Sequence, residues 1–298
     1  MNTVPARTRD YIGPVTDTRI WDDFDLRLDD VVLSTPPKCG TTWSQAIIMM
    51  LLHGRAAQGT PVWKDSHWLD CGFRDQSCLK TQLDAQTHRR CIKSHTPFDG
   101  IPFNPDVTYI TVYRHPIDLH FSLEKHVANM TSDVLDFMYP SDSATAFDRF
   151  LEAPATMAGT DDLTLASFLH HYHSFAKWSH LPNVHMFHYA DLTRDIRGQI
   201  TAYAQVLGSS VPPELLEEIV RDSSFASMKN ITRQHKRTDG NGPFADDTKF
   251  FDSATSNKWV GRLSESQLQS YRDKITLMAG ANDVEWLEKG SSGLGVAD

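Results

Sequence analysis

Three short stretches set basic side chains beside small or hydroxyl residues, in patterns suited to handling an anion. The first is Lys38-Cys39-Gly40-Thr41-Thr42. It lies between the apolar run Val31-Val32-Leu33 and a segment with Trp43, Ala46, Ile47, Met50 and Leu51 at helical spacing. A strand, a tight turn and a helix start gather unpaired backbone N–H groups around one point, where the helix dipole and Lys38 add positive charge. Such a turn suits a phosphate or a sulfate. It is not a Walker A loop, because Lys38 precedes Gly40 rather than following the last glycine. An ordinary turn in which Thr41 and Thr42 merely cap the helix fits the same residues.

The second stretch is Lys93-Ser94-His95, at the end of the short apolar run Cys91-Ile92. Imidazole titrates near neutral pH, so His95 suits a general base; for any one of 14 histidines, packing is the competing explanation. In the third, Arg114 follows Val107 to Tyr113, a run β-branched or aromatic at every position, and Ser122 comes eight residues later. The forked guanidinium of Arg114 can donate two parallel hydrogen bonds to a phosphate. A surface ion pair with a carboxylate is its alternative.

These residues need elements that hold them. Val31 to Leu33, Cys91 to His95, Val107 to Tyr113 and Asn183 to His188 read as strands. Helices are expected from Trp43, over Gln76 to Gln86, from Pro116, over Leu163 to Trp178, Asp191 to Leu207 and Pro212 to Arg221, and over Ser264 to Ala279. Strands alternating with helices predict an α/β fold with a central parallel sheet flanked by helices. Ligands of such sheets sit beyond the carboxyl ends of the strands. Lys38, His95 and Arg114 each follow such an end, so all three are expected at one crevice.

With 298 residues, 40% of them hydrophobic, the chain can bury a sizeable core, and no linker, repeat or low-complexity tract divides it. A single domain spanning 1–298 is expected. Residues 1–28 form its extension, with Trp21, Phe24 and Leu26 packing it down, and 129–162 and 230–258 form loops near the site. The net charge of -9 argues against nucleic acid as a partner. No apolar run is long enough for a transmembrane segment, and the N-terminus lacks the apolar core of a signal peptide. Cys39, Cys71, Cys78 and Cys91 show neither zinc spacing nor a disulfide framework. They fit free thiols in a reducing cytoplasmic setting.

Taken in order, TPPKCGTTW, IKSHTP, YRHPIDLHFS, HMFHYADL and SSFASMK resemble the sulfotransferases that use 3'-phosphoadenosine-5'-phosphosulfate (PAPS). The resemblance runs from about Asp29 to Trp259, and its wording is most similar to bacterial, glycolipid-type members. It implies a sulfotransferase fold related to P-loop NTPases, and an enzyme passing a sulfuryl group from PAPS to a hydroxyl of a small molecule or glycolipid, leaving PAP. By the same resemblance His95 is the base, Lys38 steadies the leaving phosphate and Lys93 assists from the acceptor side. Lys38, Cys39, Gly40, Thr41 and Thr42 surround the 5'-phosphate, and Trp43 stacks on adenine. Arg114 and Ser122 take the 3'-phosphate, Tyr189 and Phe225 touch the nucleoside, and Ser223 lies beside the adenine. No metal is implied.

One departure stands out. Where eukaryotic cytosolic members carry Arg-Lys-Gly for the 3'-phosphate, this chain has Asp252-Ser253-Ala254, with Lys249, Lys258 and Arg262 as possible substitutes. A non-catalytic binder of 3',5'-nucleotides and a nucleotide kinase are the other readings; the missing Gly-Lys-Ser/Thr counts against the kinase. Trp63, Trp68, Phe73, Phe98, Met130, Phe137, Tyr139 and Phe244 are candidates for an apolar acceptor wall. A homo-oligomer is left open, since the dimerisation segment of cytosolic relatives has no clear counterpart.

Overall fold

The computed structural model describes residues 4–57, 59–133, 135–136, 139–155, 161–235, 243–251 and 256–292. Asp252-Ser253-Ala254, Phe137 and part of the 129–162 and 230–258 segments fall outside the described residues.

Among these residues a parallel sheet of four strands forms the centre: β1 (Val31–Ser34), β2 (Cys91–Ser94), β3 (Thr108–Tyr113) and β4 (Val184–His188), in the order β2-β1-β3-β4. Ser34 of β1 sits level with Ser94 of β2, and Leu33 with Ile110 of β3. The carboxyl ends of adjacent strands therefore open onto one rim, as the crevice argument requires. Around the sheet run α1 (Thr41–His53), α2 (Gln76–Asp84), α3 (Pro116–Val127), α4 (Ser143–Glu152), α5 (Leu165–Ala176), α6 (Tyr189–Arg194), α7 (Ile196–Leu207), α8 (Pro213–Asp222), α9 (Phe225–Gln234), α10 (Glu265–Met278) and α11 (Ala281–Lys289).

Alternation of side chains along the strands decides which helices cover which face. Val31, Leu33, Cys91, Ile110 and Val112 pack with Ile47 and Ile48 of α1, Ile200 and Tyr203 of α7 and Ile219 of α8. Val32, Ile92 and Tyr109 face the other way, onto Trp21, Phe24, Leu83, Phe98 and Phe175. Trp21 and Phe24 do bind the N-terminal segment to the body, and Leu26 packs beside them half-buried. A third apolar cluster, which includes Tyr113 of β3, joins α3, α4, α5, α10 and α11.

Several sequence expectations need correction. The segment 129–162 is not all loop, because α4 crosses it and buries Ala146, Phe147, Phe150 and Leu151. The single helix expected over Asp191 to Leu207 is two, since Asp195 leaves helical geometry (ψ 74°) and caps α7 by accepting from the Gly198 amide. α11 was not foreseen, and α9 reaches into the supposed loop beginning at residue 230.

Candidate active site

The turn between β1 and α1 is the centre of the site, and its two ends touch the two other predicted clusters. At one end the Thr35 carbonyl accepts a 2.7 Å hydrogen bond from His95 Nδ1. At the other end the Cys39 thiol meets the backbone amide and the charge of Arg114. Lys38, His95 and Arg114 thus do share one rim.

Within the turn, Lys38 has φ +65°, a left-handed backbone that costs a non-glycine residue about 1–2 kcal/mol. Gly40 follows with φ +106°, and a Cβ there would lie 3.1 Å from the Tyr189 ring. Only glycine lets the chain turn this tightly against that ring. Gly40 caps α1 without a side-chain hydrogen bond, and no acidic residue stands in the first turn. Thr41 and Thr42 open the helix, the Thr41 hydroxyl lying 2.5 Å from that of Thr35. Among the described residues no side chain caps the N-terminal amides of α1, which suits an anion.

Lys38 extends over the Phe250 ring (4.6 Å to its centroid), with Nζ 3.4 Å from His126 Nδ1. His126 is the most informative residue that sequence reasoning passed over. It lies four residues beyond Ser122 on α3, hence on the same helix face, and that spacing was its only signal. Ser122 is buried. Arg114 is buried too, its guanidinium 4.3 Å from the Tyr189 ring centroid, and Tyr189 meets Trp43 edge-on at 5.6 Å. Trp43 is half-buried against the core, and its indole N–H has no hydrogen-bond partner among the described residues. These rings and the guanidinium lie together beside Gly40.

Phe225 opens α9 and meets Phe251, which meets Phe250 in turn, so a row of rings runs from Phe225 to Lys38. Ser223 is fully buried and donates weakly to the Val220 carbonyl at 3.3 Å. It is tied to the end of α8.

On the other side of the turn, Lys93 and His95 share the ring of Trp68. Lys93 Nζ lies 4.4 Å from its centroid, and the imidazole meets it edge-on at 4.7 Å. Burial lowers the Lys93 ammonium to about 8. Burial first, and Lys93 second, hold His95 well below the ordinary imidazole range. A neutral His95 that donates from Nδ1 keeps its lone pair on Nε2, the atom able to take a proton.

His95 also lines a cavity of about 80 Å³ with Tyr11, Pro36, Pro97, Leu123 and Phe168. Of the expected acceptor wall, Trp68 stands beside His95, Phe73 packs on Trp68, and Phe244 packs on His126. Met130 pairs with Phe244 through a backbone bridge. Phe98 does not belong to the wall: it stacks on Phe175 in the core. Tyr139 is buried against His120, and Trp63 is exposed. Arg262 is engaged by Glu124 (2.8 Å) and lies over Phe121, so it is committed to the surface of α3. The backbone amides of Asn257 and Lys258 are held by Asp118 at 2.9 Å each.

The sulfotransferase domain family model matches residues 28–286. The glycolipid sulfotransferase of Mycobacterium tuberculosis is 28% identical over 95% of both chains. Human sulfotransferase 2A1 is 26% identical over 86% of both. Among solved structures, mouse sulfotransferase SULT7A1 complexed with PAP superposes with a TM-score of 0.68 at 21% identity, covering 89% of this chain and 88% of that one. Retinol dehydratase complexed with retinol and PAP gives 0.69 at 19% identity, covering 87% and 83%.

Proposed function

We propose a function from one premise, that the chain belongs to the sulfotransferase domain family: it transfers a sulfuryl group from PAPS to the hydroxyl of an apolar acceptor. The observation that carries this reading is the turn at residues 35–40, which touches His95 at one end and Arg114 at the other. When bound, PAPS supplies a sulfuryl group on a good leaving group. The chain's own residues do the rest.

In this reading the uncapped amides of α1 and the Thr41 and Thr42 hydroxyls hold the 5'-phosphate, next to Cys39 and Gly40. Lys38 steadies the negative charge that grows on the leaving oxygen. Trp43, Tyr189 and Phe225 hold the nucleoside beside Ser223, and Arg114 with Ser122 takes the 3'-phosphate. His95 Nε2 receives the acceptor's proton as the new O–S bond forms and the bond to the 5'-phosphate oxygen breaks. Lys93 adds positive charge on the acceptor side.

The cavity lined by Pro36, Pro97, Leu123 and Phe168 beside His95 supports an acceptor with an apolar body. The near full-length similarity to glycolipid sulfotransferases supports a lipid-linked hydroxyl. Residues 1–298 are read as one catalytic unit. Its four free thiols fit the cytoplasm, and among the described residues no helix is long and apolar enough to cross a membrane.

Incubation with radiolabelled PAPS and a panel of phenols, alcohols and glycolipids tests the assignment, alongside calorimetric titration with PAP. Transfer to at least one hydroxyl acceptor is expected, abolished by His95→Ala with PAP affinity retained. PAP binding without any transfer would instead mark a nucleotide binder. Turnover unchanged in His95→Ala would remove the base.

A further inference from the structure

A buried carboxylate lies behind the strand end that carries His95. Asp70 is fully excluded from solvent. Its Oδ2 accepts hydrogen bonds from Ser94 Oγ (2.6 Å), Thr96 Oγ1 (2.8 Å) and Trp21 Nε1 (3.0 Å). Its Oδ1 accepts one from Trp68 Nε1 (2.7 Å). These four donors oppose the burial that pushes the Asp70 carboxyl above the usual carboxylate range.

The identity of the donors matters more than their number. Ser94 and Thr96 are the residues on either side of His95, and side chains alternate along an extended chain. Fixing both from one side fixes the backbone that aims His95 to the other. The Thr96 amide also donates to Ser94 Oγ at 3.0 Å, closing the brace on itself. Trp68 is the ring that His95 meets edge-on and over which Lys93 lies. Its segment is held against β2 as well, the Lys93 amide donating to the His67 carbonyl and the Leu69 amide to that of Lys93. Asp70 therefore contacts neither the proposed reacting atoms nor the phosphate turn, yet it grips three residues that set where His95 and Lys93 stand.

We propose that Asp70 is a positioning residue for sulfuryl transfer, locking the His95 strand end and the Trp68 wall so that Nε2 is presented to the acceptor hydroxyl. The inference rests on His95 being the base. A reacting group displaced by about 1 Å can lose two orders of magnitude in rate. In Asp70→Asn the shape is kept, but an amide N–H₂ faces donors it cannot satisfy. Strand end and indole then loosen together, and water reaches the imidazole.

The test is steady-state kinetics of Asp70→Asn across pH, together with ¹⁵N NMR of the histidine rings. In Asp70→Asn kcat is expected to fall about 100-fold while KM for PAPS stays within about 2-fold, because the phosphate turn is untouched. The acid limb of the kcat profile moves up toward the ordinary imidazole range, and the Nδ1-protonated signature of His95 is lost. A merely structural role would lower the amount of active enzyme and move neither signature. Wild-type kcat, pH profile and ring spectrum in Asp70→Asn would overturn the proposal. Should that variant not fold, Ser94→Ala/Thr96→Val removes the same brace and leaves both tryptophan donors; wild-type behaviour there overturns it equally. The ring spectrum is read without turnover, and His95→Ala separately reports on the base, so failure of one reading is not mistaken for failure of the other.

Discussion

Lys93 and His95 are two residues apart, both contact the Trp68 ring, and are both pushed by burial toward their neutral forms. For the base this is useful. With its proton affinity held well below the ordinary 6.5, His95 stays neutral and able to accept at neutral pH. For Lys93 it sets a limit, because an ammonium that titrates at about 8 loses its charge as pH rises through that value. The expected profile of kcat/KM is a bell, with an acid limb below pH 6.5 from His95 and an alkaline limb near pH 8 from Lys93 in the free enzyme. In kcat itself the alkaline limb lies higher, since a bound polyanion favours the ammonium. In Lys93→Arg, whose guanidinium does not deprotonate in proteins, the alkaline limb of kcat/KM is expected to move more than about one unit upward. An unmoved limb would mean that another group sets it.

At the scale of elements, the turn from β1 into α1 is the piece on which most of the site depends, and Gly40 is where it is least tolerant. Gly40→Ala places a methyl group 3.1 Å from the Tyr189 ring on a backbone with φ +106°. The expected result is a loss of about 1–3 kcal/mol in stability from strain. PAP affinity should fall at least tenfold as Tyr189 and the α1 amides are pushed apart, whereas Gly54→Ala, at φ +61° with nothing within 4 Å, carries the backbone strain alone. Calorimetric PAP titration of both variants separates the crowding of the ring from backbone strain. Equal PAP affinity in the two would refute the account.

This turn was legible in the sequence because its strand, its small residues and its helix all lie within one short window. The same holds for β3, read from Val107 to Tyr113 and observed at Thr108–Tyr113, and for the capping box of Ser264 and Gln267 that starts α10. Other elements were hidden by their neighbours. α4 carries Ala146, Phe147, Phe150 and Leu151 at helical spacing after an Asp142 cap, but follows a stretch of Met, Phe, Tyr and Pro with no periodicity. Asp195 interrupts an otherwise continuous helical pattern only because its own carboxylate caps the next helix. His126 beside Lys38, and Asp70 behind His95, are contacts 88 and 24–26 residues apart in sequence. No local window contains them.

The whole molecule encloses several histidines in a neutral state, and that shapes its response to acid. His95, His120, His171 and His188 are all buried. Burial brings His120 and His188 down to about 4 and His171 to about 3, and holds His95 well below its usual range. The unfolded chain takes up these protons near pH 6.5, whereas the folded chain does so only at the lowered values, so between them the unfolded state binds more protons. Stability is therefore full above pH 6.5 and is lost as pH falls toward 4. At pH 5 each such histidine costs up to about 2 kcal/mol, against a total stability on the order of 5–15 kcal/mol. His120 is the cleanest place to test this. Its ring lies among Phe121, Tyr139, Phe147 and Phe150, and neither nitrogen has a hydrogen-bond partner among the described residues. Glu124 pulls its proton affinity up and Arg262 pushes it down, but burial outweighs both. His120→Phe should match wild type or exceed it in urea unfolding at pH 7 and exceed it by about 2 kcal/mol more at pH 5. His171→Phe is not equivalent, because it takes from the Tyr113 hydroxyl its 2.8 Å partner in the core and should destabilise the fold at pH 7. A wild-type unfolding free energy that is flat between pH 7 and pH 5 would show that these rings are solvated rather than enclosed.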